Sequence, residues 1–221
     1  MLKSNAYKKA VELGKAALEN MNPRQIAEES QADFVPCSPE TAILRVGFLS
    51  SKIDIAWPGL DFSFAGSVDD VPLEVQVLLL HYLKRVSGTF ITGNWISYYE
   101  IPDGKFYLNA FLRRAKEPMV QFFGDKPDLL VKIAEEMSDA RPLDHGDLSM
   151  VMNVLPGVPV ALVLWNGDDE FPPDGNILFD SSISGIFTAE DIAVLTGMAV
   201  YKLISTAKKL QRFDGFELAF V

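Results

Sequence analysis

The sequence predicts an α+β protein in which a mixed or antiparallel sheet packs against several helices within a single domain. Strand-like and helix-like segments follow one another without the strict βαβ alternation that a parallel sheet requires. Of the 221 residues, 48% are hydrophobic and 23% are charged, a composition typical of a packed globular chain with one sizeable core. No linker-like stretch divides the chain. We therefore expect one continuous unit, with residues 1–40 as an N-terminal helical segment and residues 41–221 as the α+β part.

The individual elements are predicted from hydrophobic periodicity and from cap and turn residues. Apolar residues recur at helical spacing from Tyr7 to Leu18. Asn22 and Pro23 are the cap and first-turn residues that typically begin a helix. The same reasoning predicts a polar loop over residues 30–40, strands over 41–48, 53–57, 95–101 and 148–155, helices over 73–86, 106–114, 117–123 and from Pro127, and a last helix capped by Thr188 with Asp191 as its capping-box partner.

Residues 158–180 are predicted to form a central hairpin. Val158 to Trp165 is an apolar run of strand length, which indicates a strand covered on both faces. Asn166-Gly167 is a strong turn signal, and a second apolar run ends at Asp180. We expect Trp165 to be buried at the end of the first strand. Asp180 is expected to accept backbone N–H groups as a cap.

The tip of this hairpin is acidic. Asp168, Asp169, Glu170 and Asp174 have carboxylate oxygens of the kind that bind Mg²⁺ or Ca²⁺. The spacing differs from that of an EF-hand loop, and a solvated tip is the alternative interpretation because carboxylates are usually exposed. If the loop binds a cation, the chain is predicted to be a divalent-metal-dependent enzyme of the hydrolase type.

Two other residues are candidates for binding a cofactor. His81 lies within a predicted apolar helix, where it is either a core histidine with one hydrogen bond or a ligand for a planar cofactor or a metal. Trp95 begins an aromatic segment that either lines a pocket or belongs to the core. His145 lies in a polar loop, where it is either a surface residue or a ligand or acid–base group of the metal-dependent enzyme.

Charge and cysteine content exclude several classes of function. The net charge is −10, with 20 Lys and Arg against 30 Asp and Glu, which argues against nucleic acid or an anionic membrane as partner. No window of the sequence reaches membrane-spanning length. Cys37 is the single cysteine, so the chain has no internal disulfide and cannot by itself provide a set of cysteine ligands for an iron–sulfur cluster. These features favour a cytoplasmic protein.

Several short motifs resemble those of a known family. They are Gly93-Asn94-Trp95-Ile96, Pro102-x-Gly104 with Phe111, Trp165-x-Gly167-Asp168-Asp169-Glu170-Phe171-Pro172, Leu178-Phe179-Asp180 and Glu190-Asp191. Together they are similar to the domain of unknown function 3786, over about residues 42–203.

The resemblance implies an uncharacterised domain of anaerobic bacteria and archaea, in which some members have an added iron–sulfur-binding segment. It implies no particular reaction. It favours a cytosolic binding or accessory domain linked to anaerobic redox or cofactor metabolism. The predicted partners are a protein that carries an iron–sulfur or other metal centre, or a second copy of the chain in a homodimer.

Overall fold

The secondary structure is known from a computed structural model that describes residues 2–67 and 69–217, with side chains described for residues 5–67 and 69–212. The elements are α1 (Leu2–Leu18), α2 (Pro23–Ser30), β1 (Asp33–Pro36), β2 (Ala42–Phe48), β3 (Ser51–Trp57), β4 (Asp61–Phe64), α3 (Leu73–Arg85), β5 (Trp95–Ser97), a 3₁₀ turn (Tyr98–Glu100), α4 (Gly104–Phe111), a π-helical turn (Leu112–Lys116), α5 (Glu117–Phe123), α6 (Pro127–Met137), β6 (Arg141–Pro142), β7 (Leu148–Leu155), β8 (Val158–Trp165), β9 (Asp174–Asp180), α7 (Ile183–Ile186) and α8 (Ala189–Glu217). The predicted α+β class is confirmed.

Two antiparallel sheets form the β part of the domain. The first has the strand order β1-β2-β3-β4, and the second has the order β5-β9-β8-β7-β6. The predicted hairpin of β8 and β9 lies in the middle of the second sheet. Every residue of β8 except the last is buried, because Val160 and Leu162 face the main core while Ala161 and Val163 face a smaller apolar cluster on the other side. The prediction of a strand covered on both faces is confirmed.

The core connects both sheets with the helices. Buried apolar residues from α1, α2, α3, α8 and the two sheets form one continuous cluster, so the described chain is a single domain. The apolar helix α3 is buried around much of its circumference, and α8 packs against α3, α4, the π-helical turn, α5 and α6. Within the described part of the chain, none of the helices combines the length and the apolar character that crossing a membrane requires.

Strands β1 and β5 differ from the sequence prediction, and the short strands β4 and β6 were not predicted. Residues 33–36 are not a loop but strand β1, which pairs with β2 from Asp33–Arg45 to Pro36–Ala42. The predicted helical segment 1–40 therefore also contains an edge strand, a position that tolerates proline. Strand β5 ends at Ser97 because Glu100 accepts the Ser97 N–H at 2.8 Å and draws the chain into the 3₁₀ turn.

The predicted burial of Trp165 is wrong. The side chain of Trp165 is 38% exposed, and its partner across the hairpin is the exposed Asp174. The buried part of β8 ends at Leu164, one residue earlier than the apolar run in the sequence. Trp165 instead lines a shallow groove together with Tyr99.

Candidate functional site

A cavity of about 420 Å³ lies between α1, α3, α8 and the π-helical turn. Its apolar wall is formed by alanine, valine and leucine side chains, and seven residues with polar or charged groups converge on it. Such a combination is typical of sites that bind small molecules. The lining residues are Ala6, Tyr7, Ala10, Glu74, Val77, Leu78, His81, Arg114, Thr188, Glu190, Asp191 and Val194.

Two glycines allow the helices around the cavity to approach each other closely. A Cβ atom on Gly14 of α1 would lie 2.8 Å from Cδ1 and 2.9 Å from Cβ of Leu80 on α3. A Cβ atom on Gly197 of α8 would lie 3.2 Å from Cβ of Arg114 in the π-helical turn. This turn is an irregularity of a kind that is frequent at functional sites. It places Arg114 at the cavity.

His81 is held by a buried carboxylate. Its Nδ1 lies 3.0 Å from Oδ2 of Asp191, which is only 8% exposed. The same Oδ2 accepts the backbone N–H of Thr188 at 3.1 Å and its hydroxyl at 2.7 Å. The Asp191 N–H in turn donates to the Thr188 Oγ1 at 3.2 Å. The predicted cap of α8 is therefore confirmed, and its carboxylate also orients a histidine of α3.

The Asp191 carboxylate remains charged and defines the tautomer of His81. Burial alone would raise the pKa of Asp191, but hydrogen bonds from His81 and Thr188 outweigh burial and hold this pKa below its usual value. Because Oδ2 is an acceptor, the proton of the neutral imidazole is assigned to Nδ1. Among the described residues Nδ1 is the ring nitrogen with a hydrogen-bond partner, so Nε2, which carries the lone pair when the ring is neutral, is left for a ligand.

Acidic side chains outnumber basic ones in the lining of the cavity. The lining contains the carboxylates of Glu74, Glu190 and Asp191 and a single guanidinium, that of Arg114. Burial and, after it, the charges of these three carboxylates raise the pKa of Tyr7, and Arg114 opposes them only in part.

The two residues predicted to bind a cofactor lie in different places. His81 lines the cavity, whereas Trp95 pairs with Asp180 and packs on the small apolar cluster of the second sheet. Trp95 is not among the cavity-lining residues, so the structure does not bring the two side chains into one site. A role for Trp95 in binding a cofactor stays a prediction.

The carboxylates of the acidic hairpin tip are exposed and partly engaged. Asp168 Oδ1 accepts the backbone N–H groups of Glu170 and Phe171, each at 2.8 Å, and these bonds lower the pKa of Asp168. Asp174 pairs with Lys116 at 3.1 Å. No group of three or more histidine, cysteine or acidic side chains is suitably placed for a metal ion within the described residues. A metal site at Asp168, Asp169, Glu170 and Asp174 stays a prediction.

Asp180 is a fully buried carboxylate with a structural role. It accepts the predicted backbone N–H bond from Ser182 at 3.0 Å. It also accepts the N–H of Gly93 at 2.7 Å and the N–H and hydroxyl of Thr92. Burial acts to raise the pKa of Asp180, but bonds from Ser182, Thr92 and Gly93 hold it below its usual value. The carboxylate therefore ties the loop before β5 to the end of β9, whereas the N-cap position of α7 is Ser182, which has no side-chain cap hydrogen bond.

Sequence reasoning missed most of the cavity residues, although one signal was present. Glu74, Val77, Leu78 and His81 have the i, i+3, i+4, i+7 spacing of a single helix face. Because most residues of this helix are apolar, the sequence pattern did not relate the carboxylate of Glu74 to His81. No local pattern relates Tyr7 or Arg114 to that face, since both reach it through tertiary packing.

The fold and the site together define a single-domain α+β protein with a helix-walled cavity around a histidine–aspartate pair. The chain belongs to the family described as Domain of unknown function (DUF3786), whose model matches residues 22–202. No curated protein and no solved structure matches the chain. Helix α1, which supplies three cavity residues, precedes the matched region.

Proposed function

We propose that this chain is a binding domain that holds a small organic ligand in the helix-walled cavity, with His81 as the central polar contact. The observation that carries the proposal is the 3.0 Å bond between His81 and the buried Asp191 inside a cavity with an apolar wall. A ring fixed in this way is already oriented before the ligand arrives, which reduces the entropy lost on binding.

The geometry favours binding over covalent catalysis. A hydroxyl nucleophile activated by a histidine–carboxylate pair must form a hydrogen bond to the free nitrogen of the histidine. The Thr188 hydroxyl, which lines the cavity, donates instead to Asp191 at 2.7 Å. Thr188 and Asp191 thus form a cap that supports the imidazole of His81, and the Nε2 atom of His81 contacts the ligand.

The proposal includes a cellular setting. We infer that the domain works in the cytoplasm, in anaerobic redox or cofactor metabolism, beside a partner protein that holds an iron–sulfur or other metal centre. The family resemblance, the net charge of −10 and the single cysteine support this setting. Affinity capture with the tagged chain under anaerobic conditions, followed by iron analysis of the captured proteins, tests the partner. Light scattering tests whether the chain forms a homodimer.

Fragment binding followed by NMR tests the cavity. The probes are benzylamine, benzyl alcohol and benzoate, which share one ring and differ in charge. At least one of them should shift the backbone amide signals of residues that line the cavity, such as Ala10, Val77 and Val194. His81→Phe should remove these shifts.

His145 provides the matched control, because it is the second of two histidines and is exposed in a loop. His145→Phe should leave the fragment-induced shifts unchanged. The proposal is wrong if the shifts map to another surface, or if they persist in a folded His81→Phe variant.

A further inference from the structure

We propose that the ligand of this cavity is an organic cation, an apolar group that bears a protonated amine. This inference rests on the proposed function and specifies its ligand class. Two independent features of the cavity lead to it, namely the balance of charges in the lining and the hydrogen-bonding capacity of His81.

The charge balance of the lining favours a cation. Three carboxylates, on Glu74, Glu190 and Asp191, face one guanidinium, on Arg114. Glu190 is exposed and accepts a long hydrogen bond of 3.4 Å from the hydroxyl of Tyr107. Glu74 is half-buried on α3 and is not part of any ion pair among the described residues. Both glutamates can therefore approach an ammonium group without breaking an existing ion pair.

The acceptor on His81 favours a ligand that donates hydrogen bonds. Since Nδ1 donates to Asp191, the Nε2 of the neutral ring carries a lone pair and accepts. An ammonium group offers three donors and no acceptor, which matches one imidazole nitrogen and two carboxylates. The apolar residues Ala10, Val77 and Val194 provide the surface for the uncharged part of such a ligand.

Calorimetric titration with the three probes separates the ligand class from the existence of the site. Benzylamine, benzyl alcohol and benzoate fill nearly the same volume, so differences in their affinity report the preferred charge. We expect benzylamine to bind at least tenfold more tightly than benzoate, with a dissociation constant on the order of 1 mM for a molecule of this size. Its affinity should fall as salt is added, because salt screens the carboxylates.

Charge variants give a second, independent measurement. Glu74→Gln and Glu190→Gln should each weaken benzylamine binding about threefold, as expected for partly exposed charge pairs. Arg114→Gln should strengthen benzylamine binding and weaken benzoate binding. The alcohol should respond little to any of the three substitutions, which makes it the internal control for a disturbed cavity.

The outcomes distinguish the two claims. Preference for benzylamine, reduced in both glutamine variants at Glu74 and Glu190, supports the inference. If benzyl alcohol or benzoate binds as tightly as benzylamine, the ligand class is wrong while the cavity remains a binding site. If none of the three probes binds, both the ligand class and the proposed function are contradicted.

Discussion

Asp180 illustrates how a single buried residue connects distant parts of this chain. Its carboxylate is inaccessible to solvent and accepts hydrogen bonds from Thr92, Gly93 and Ser182. A buried carboxylate of this kind is stabilising only because its lone pairs are matched by donors. The loop before β5 and the end of β9 therefore depend on one side chain.

Replacing this carboxylate tests that dependence. Asp180→Asn should lower the free energy of unfolding by about 2–3 kcal/mol, because an amide group places a donor where the protein already offers donors. The control is Asp169→Asn at the exposed hairpin tip, which should change stability by less than about 0.5 kcal/mol. Urea denaturation measures both variants. Equal stability of the two would contradict the assigned role.

Acid should destabilise the protein through Asp180 and Asp191. The pKa of each carboxyl is lower in the folded chain than its usual value of 3.8, so the unfolded chain binds protons more readily at low pH. Their contribution to stability is present above about pH 4 and is lost as the pH falls through the folded pKa. Urea denaturation at several pH values should show this loss, and Asp180→Asn should make the dependence shallower. A slope that is unchanged in the variant would contradict the prediction.

Trp165 shows where sequence reasoning failed at the residue scale. Since its side chain is 38% exposed, Trp165→Ala should cost about 1–2 kcal/mol, less than the roughly 3–5 kcal/mol of a fully buried aromatic residue. Phe179→Ala, on the neighbouring strand and fully buried, provides the comparison. Chemical denaturation of both variants measures the difference. If both variants lose the same free energy of unfolding, Trp165 is a core residue after all, and its assigned exposure is contradicted.

At the scale of elements, the approach of α1 to α3 determines one wall of the cavity. Gly14 allows this approach because any Cβ at that position would overlap with Leu80. The contact includes the Cβ atom of Leu80, which cannot move without its helix, so a larger residue has to displace α1. The cavity residues Tyr7 and Ala10 lie on the same helix and would be displaced with it.

Gly14→Ala should therefore destabilise the protein by about 1–3 kcal/mol through overpacking, although alanine is the better helix former. The control is Gly185→Ala in α7, where the nearest atom to a new Cβ is 3.8 Å away. That substitution should be neutral or stabilising. Midpoints of urea denaturation give the comparison, and a stabilising Gly14→Ala would show that α1 is packed less tightly than the structure indicates.

For the whole molecule, local patterns predicted the elements better than the site. Three features that depend on neighbouring residues were predicted from the sequence. They are the apolar run of β8, the cap formed by Thr188 and Asp191, and the apolar helix α3. Strand β1 was missed because its edge position and its pairing with β2 depend on tertiary structure.

The cavity was missed for the same physical reason. His81 and Asp191 are 110 positions apart in the chain, and no periodicity or turn signal relates them. Helix packing, made close by Gly14 and Gly197, brings them into one cavity with Tyr7 and Arg114. The acidic hairpin tip, by contrast, is conspicuous in sequence because its charges are consecutive, although consecutive charges at a turn mostly face solvent.

The central claim is that Asp191 orients His81 so that Nε2 contacts a ligand in the cavity. Nitrogen-15 NMR of the imidazole rings tests it most directly, because the chain has only two histidines. In the neutral ring of His81, Nδ1 should carry the proton, and Asp191→Asn should weaken this preference. The tightest-binding of the three probes should then shift the His81 Nε2 signal and leave the His145 signals unchanged. A proton on Nε2 of the neutral His81 ring, or an Nε2 signal that does not respond to a bound probe, would contradict the claim.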